Sequence, residues 1–290
     1  MPSMLLRVRR TLLSAAGVLV FLMLAGATYQ GAATALERRQ FPRPGGLFDI
    51  GDRQLHLHCL GDGSPTVVLE APAAGMSAAW GWVQPELASR TRVCSYDRAG
   101  LGWSEAGSRM YEPTAVAEQL HTLLERGGEH GPFVIAGQGL GAAFATLFAA
   151  RFGGEVAGLV LIDVPPAAAD RTAARRTNRL FALSPWLARA GVLRATRLLS
   201  NRARGLPEPS AGALRAFLNR PDHLTRASRE LARWDDTVAM AQSASLSGDL
   251  PVVRVDAAGA ERLAFLTDPH EAATVVDAIA GAIGRVPPHR

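Results

Sequence analysis

Residues 133–152 read Phe133-Val134-Ile135-Ala136-Gly137-Gln138-Gly139-Leu140-Gly141-Ala142-Ala143-Phe144-Ala145-Thr146-Leu147-Phe148-Ala149-Ala150-Arg151-Phe152. The opening four residues form a short apolar run, as a strand buried on both faces requires. From Ala142 to Phe152 the chain is Ala-rich and suits a helix. Small residues stand two before and two after the centre of the join, at Gly137 and Gly141, so the strand can turn sharply into the helix. A turn of this kind normally lifts a Ser, Cys or Asp to its apex as a nucleophile. Here the apex is Gly139, whose side chain is a hydrogen atom.

Outward from this turn the pattern repeats. Leu47–Ile50 and Gln54–Cys59 read as a hairpin around Gly51-Asp52, and Thr66–Glu70 as a buried strand. Trp82–Ala88 suits a helix, Thr91–Tyr96 a strand, Thr114–Arg126 an amphipathic helix, Gly158–Asp163 another buried strand, Leu250–Asp256 a late one and Pro269–Ile283 a closing helix. Strands alternating with helices argue for a mostly parallel sheet covered on both faces. The alternation stops between Pro165 and Ser247, a helical and loop-like stretch broken by Pro185, Pro207, Pro209 and Pro221.

The chain has no lysine, so its 31 cations are all arginine, and its net charge is +5. Arg7, Arg9 and Arg10 precede every acidic residue, and from residue 11 onward 28 Arg stand against 26 Asp plus Glu. No basic stripe with interleaved aromatics exists, so nucleic acid is not an expected partner. The 165–247 stretch is locally basic, with 14 Arg against 6 acids. Two readings follow: solvated helix faces, or a surface facing anionic lipid headgroups or an acidic ligand.

Residues 11 to 36 carry no charge. A basic start followed by such a run is a signal peptide or a signal anchor, and its length favours an uncleaved transmembrane helix. Small-x-small sites at Ala25-Gly26-Ala27 and Ala33-Thr34-Ala35 keep cleavage and export open as the alternative. The expectation is a single-pass cell-membrane protein, partnered with the bilayer through this helix, its soluble part on the extracytoplasmic side. Arg38, Arg39 and Arg43 follow the span and nearly balance the three Arg before it. Cys59 and Cys94, each at or near a strand end, allow one cross-strand disulfide in an exported domain, or two buried thiols. His56 and His58 alternate along a strand, and no metal-ligand spacing occurs; no metal or cofactor is expected.

At this point the chain resembles the α/β-hydrolase superfamily, in a bacterial membrane-anchored or exported form. The likeness rests on Gly63-x-Pro65, Trp80, Tyr96-Asp97-Arg98-Ala99-Gly100-x-Gly102-x-Ser104, the turn around Gly139, Ala150-Arg151-Phe152, and Val156-x-Gly158 through Asp163. It implies an eight-stranded, mostly parallel sheet with helices on both faces and a helical cap after the sixth strand. The expected organisation is a basic start and membrane helix over 1–38, a linker over 39–46, a core over 47–164 and 248–285, a cap insertion over 165–247 and a tail over 286–290.

The resemblance implies acyl-transfer chemistry only where the catalytic positions match, and they do not. The nucleophile position is Gly139. The base position, about seven residues before the Pro of the last helix, falls on Arg262, which cannot accept a proton. His270 lies past that Pro, in the first helical turn. The acid excursion is shortened, leaving Asp256 as the one candidate acid, while Asp163 suits a hinge to the cap. The oxyanion donors would be the backbone N–H groups of Ala73 and Leu140, with Pro72 and Ala74 standing where glycines are expected. Gln138 offers an amide at the pocket floor. The expectation is a fold without serine-hydrolase turnover, its cap pocket holding a small apolar molecule or inert. Two alternatives stand beside it: a hydrolase served by a cap residue such as His223, Asp235 or Asp236, and an interaction module at the membrane surface.

Overall fold

A computed structural model of the 290-residue chain describes residues 2–107, 112–164, 181–256 and 264–286. The chain opens with a 39-residue helix, α1 (Pro2–Gln40). It continues two residues beyond the expected limit of 38 and stops short of Pro42, whose ring cannot continue a helix. Then come β1 (Gly46–Asp49), β2 (Gln54–Leu60), β3 (Thr66–Glu70), α2 (Val83–Leu87), β4 (Val93–Tyr96), α3 (Pro113–Arg126), β5 (Phe133–Gln138), α4 (Leu140–Arg151) and β6 (Val156–Ile162). The cap supplies α5 (Ser184–Arg189), α6 (Val192–Thr196), α7 (Ser210–Phe217), α8 (Pro221–Ala232) and α9 (Trp234–Ser243). The core resumes with β7 (Val252–Val255), α10 (Ala264–Thr267) and α11 (Pro269–Ile283).

The strands form one sheet in the order β1-β2-β4-β3-β5-β6-β7. β1 and β2 pair antiparallel with their neighbours, and every later pairing is parallel. β3, β4 and β5 are buried at every position. Leu55, Val68, Ile135, Leu159 and Phe148 pack one face against α3 and α4. Val67, Leu69, Val134, Val160 and Ile279 pack the other against α2 and α11. Fully burying one such side chain contributes about 1.5–3 kcal/mol, so the two layers hold the sheet rigid beneath the site.

The sheet has seven strands among the described residues, where eight were expected. The reason lies in the spacing after β7. A crossover between parallel strands takes about a dozen residues or more, and α10 begins at Ala264, nine positions after Val255. Those nine positions are fewer than a crossover to a further parallel strand needs. Cys59 and Cys94 face each other in the β2–β4 register and are bonded to one another, which decides between the two readings of the pair. These two sulfurs, tied up in the disulfide, and Glu129 are the one cluster of potential metal donors among the described residues. Glu129 is engaged by Arg92.

Candidate functional site

The turn between β5 and α4 keeps the shape its sequence predicts. Gly139 sits at φ +57°, ψ −118°, directly before α4. An added Cβ there would meet nothing within 4 Å among the described residues. The flanking positions are different. A Cβ on Gly141 would lie 2.5 Å from the Glu70 carbonyl oxygen and 2.6 Å from that of Ala71, and one on Gly137 would overlap the Gly141 backbone. The frame of a nucleophile turn is thus fully built around an apex that carries no nucleophile. Glycine takes the left-handed apex at little steric cost.

The cavity beside this turn is about 40 Å³, room for a few waters. Its walls include Ala73, Gln138, Arg202 and Thr267 among leucines of the cap and α10. No described His, Asp, Glu, Ser or Cys lines it. Arg202 lies with its guanidinium 5.5 Å from the Phe181 ring centre, and burial pushes its pKa down. A larger and mostly apolar cavity of about 290 Å³ lies on the far side of the Ser77–Trp80 turn, against Phe41, Pro42, His58 and Trp103.

The sequence-predicted residues separate accordingly. Ala73 and Gln138 reach the small cavity, and Leu140 is fully buried as the first residue of α4. Asp256 is exposed just past β7. Arg262 lies outside the described residues. His270 is exposed at the start of α11, where its backbone N–H, with that of Glu271, donates to Asp268. Asp163 follows β6 with φ +48°, and its N–H donates to Val255. Asp235 and Asp236 are on the surface, the latter paired with Arg233.

His223 is not a cap-borne base. Its Nδ1 accepts from the Gly102 N–H at 3.0 Å, so the proton sits on Nε2, which donates to the Ala74 carbonyl at 3.1 Å. Both ring nitrogens are used and the side chain is buried. From α8 it ties the Gly102 loop to the oxyanion loop, where Ala74 takes the left-handed φ of +57° that the expected glycine would adopt. Burial pushes the His223 imidazole below its ordinary 6.5. A lowered folded-state pKa makes its contribution to stability fully present above pH 6.5 and lost as pH falls toward the folded value. Thermal melts across pH 8 to 5 are expected to lose stability at up to about 1.4 kcal/mol per pH unit for this proton. His223→Gln is expected to flatten that slope, and an unchanged slope would remove His223 as its source.

A second polar set was invisible in the sequence. Arg98, next to Asp97 in the Tyr96–Ser104 block, is fully buried and bonds Glu70 on β3 and Glu230 on α8, at 2.5 and 2.9 Å. It also donates to the carbonyls of Ala71 and Pro72, so one guanidinium fastens core, oxyanion loop and cap. Burial raises Glu70, whose carboxylate also accepts from the Tyr96 hydroxyl. Burial acts the same way on Glu230, but Arg98 outweighs it and holds that carboxyl low.

Ser77, His56 and Asp97 also converge, with no spacing to announce them. They do not form a relay. Ser77 Oγ lies 3.5 Å from His56 Nδ1, the same nitrogen that lies 3.0 Å from Asp97. A relay needs the serine on one ring nitrogen and the acid on the other, and His56 Nε2 is held by the Pro44 carbonyl. Burial pushes Asp97 up, but His56 and the N–H groups of Ser77 and Trp103 outweigh it and hold the carboxyl low. The trio braces the Gly102 loop.

The chain belongs to the alpha/beta hydrolase fold family, whose match covers residues 57–242. It is 27% identical over 197 residues to an uncharacterized protein of Schizosaccharomyces pombe, across 57% of this chain and 35% of that one. It is 26% identical over 113 residues to the uncharacterized protein YqjL of Bacillus subtilis, across 39% and 44% respectively. The chain therefore spans less than half the length of these curated relatives. Among solved structures it is similar to a putative epoxide hydrolase from Pseudomonas aeruginosa, with a TM-score of 0.66, 18% identity, and 82% and 96% of the two chains covered. It is also similar to a membrane phospholipase A described as a bacterial virulence factor, with a TM-score of 0.60, 20% identity, and 98% and 99% covered. At these identities the likeness is one of fold.

Proposed function

We propose that this chain is a membrane-anchored α/β-hydrolase-fold protein without serine-hydrolase turnover, acting by binding rather than by acyl transfer. The observation that carries it is Gly139: the apex of an intact nucleophile turn, with open space above and no nucleophile to fill it. Removing one member of a catalytic triad already lowers rate by several orders of magnitude, and here the base position is also an arginine. The small volume beside the turn, lined by no carboxylate or imidazole among the described residues, supports the same reading.

Three features support the anchor. α1 is long and apolar enough to cross a membrane, and its apolar stretch is exposed. The likeness to the membrane phospholipase A extends over 98% of this chain and so takes in most of α1. The Cys59–Cys94 bond fits an oxidising compartment and so supports a soluble part on the extracytoplasmic side.

An activated fluorophosphonate probe should leave the native protein unlabelled under conditions that label an active serine hydrolase. Gly139→Ser alone should not raise ester hydrolysis above background, since Arg262 cannot take the hydroxyl proton. Specific labelling of the native chain would overturn the reading, and strong activity in Gly139→Ser would show that another residue serves as base.

A further inference from the structure

We infer that the groove between the C-terminal part of α1 and the cap binds anionic phospholipid headgroups, so that α5 and α6 rest on the bilayer surface. The inference rests on the anchor reading of α1 and adds to it a ligand class and a depth.

The cap is fastened to α1 at a defined level. The Gly26 backbone packs so closely on Ala190 that an added methyl would overlap the Ala190 carbonyl. Four residues on, the Gln30 side chain is buried, donates to the Asn219 carbonyl at 2.6 Å and accepts from Arg194 Nε at 2.9 Å. Arg194 also pairs with Glu37. From Arg10 to Gln30 a helix rises about 30 Å, the thickness of a hydrocarbon core. The first cap contacts therefore fall where the helix leaves the bilayer.

What is exposed at that level suits an interface. Tyr29 on α1 and Trp186 on α5 are open to solvent, the latter 70% exposed, and aromatic residues of this kind collect at headgroup depth. Leu183, Val192 and Leu198 are exposed along the same cap segment. Arg189 lies with its guanidinium 5.1 Å from the Trp186 ring centre.

Along the C-terminal part of α1 runs a shallow groove of about 960 Å³ whose charged lining is Arg38, Arg39, Arg189 and Arg220 against a single acid, Asp222. Arg220 is the informative member. It is 6% exposed, stacked 3.7 Å over Phe217, and its Nε has no hydrogen-bond partner. A phosphodiester in the groove would bring negative charge beside this largely buried cation and the three other arginines that line it. Guanidinium forks match phosphate oxygens bidentately. The groove's place beside an apolar helix selects a phosphate that arrives on a lipid.

The test uses the full chain in neutral detergent micelles doped with phosphatidylglycerol, phosphatidylcholine or inorganic phosphate, with thermal midpoint as readout. Phosphatidylglycerol should raise the midpoint saturably, while the other two should not. Arg38→Gln with Arg39→Gln should weaken the half-saturating phosphatidylglycerol concentration by about tenfold or more without moving the midpoint in phosphatidylcholine. In nanodiscs, lipids brominated near the headgroup should quench tryptophan emission, and Trp186→Phe should remove that quenching. Equal responses to both lipids, an undiminished response in the double variant, or inorganic phosphate acting as well as phosphatidylglycerol would overturn the inference. Alkaline carbonate extraction and the intact mass separate it from the reading beneath. Release from membranes, or cleavage after Ala27 or Ala35, ends the anchor and this site together. An integral, uncleaved chain that ignores phosphatidylglycerol ends this site alone.

Discussion

Arg98→Leu should lower the thermal midpoint of the detergent-solubilised protein more than any other single side-chain truncation in the core. The residue is buried with two carboxylates, and removing one partner of a buried pair costs about 3–5 kcal/mol because the other charge stays behind. For a domain of this size that is a fall on the order of 10 °C. The loss is softened at Glu230 by Arg226 Nε at 3.5 Å and at Glu70 by the Tyr96 hydroxyl. The pH dependence identifies the cause. Without Arg98, burial raises both carboxyls against only the partial opposition of Arg226 and the Tyr96 hydroxyl, so protonation favours the folded variant. Its deficit relative to wild type should therefore shrink as pH falls from 8 toward 5, and Glu230→Gln in the same chain should restore part of the midpoint at pH 8. A deficit that is flat with pH and not relieved by Glu230→Gln would mean Arg98 acts by packing over Phe144, 5.1 Å away, rather than by charge.

That network marks the limit of what the sequence discloses. The elements of the sheet were legible because burial on both faces writes itself as uninterrupted apolar runs: Val67–Leu69, Val134–Ala136, Leu159–Ile162. The turn at Gly139 was legible because its steric demands fall on Gly137 and Gly141, two positions away on either side. Glu230 pairs with Arg98 across 132 positions, from a cap helix that also carries the exposed Asp222 and Arg229, and no local pattern distinguishes it from them. His223 is the same case. A histidine among Arg and Asp on α8 reads as a surface residue or a catalytic one, and only the fold reveals that Gly102 and Ala74 occupy both its nitrogens. The basic character of the cap was plain in composition, but which arginines converge depended on where α1 docks. The eighth strand was expected because the resemblance supplied it, whereas the spacing after β7 already argued against it.

Gly141→Ala and Gly139→Ala, each adding one methyl to the same turn, should differ sharply. At Gly139 the methyl enters open space, and its cost is the left-handed backbone alone, about 1–3 kcal/mol. At Gly141 it meets two backbone carbonyls at 2.5 and 2.6 Å, which cannot rotate away as a side chain would. Overpacking usually costs about 1–3 kcal/mol where side chains can adjust, so a backbone clash on both sides places Gly141→Ala at or above about 3 kcal/mol. One of those carbonyls, Ala71, also accepts from Arg98 at 2.7 Å. Displacing it disturbs the same guanidinium that ties the cap to the core. The costs of Gly141→Ala and Arg98→Leu should therefore sum to less than additivity predicts, as expected for sites sharing a partner, whereas Gly139→Ala and Arg98→Leu should add. Thermal melts of the three single and two double variants against wild type decide it. Equal costs at Gly139 and Gly141 would show that the strand-to-helix turn relaxes freely. The steric demands at Gly137 and Gly141 would then no longer set this turn apart, and Gly139 would be one glycine among several.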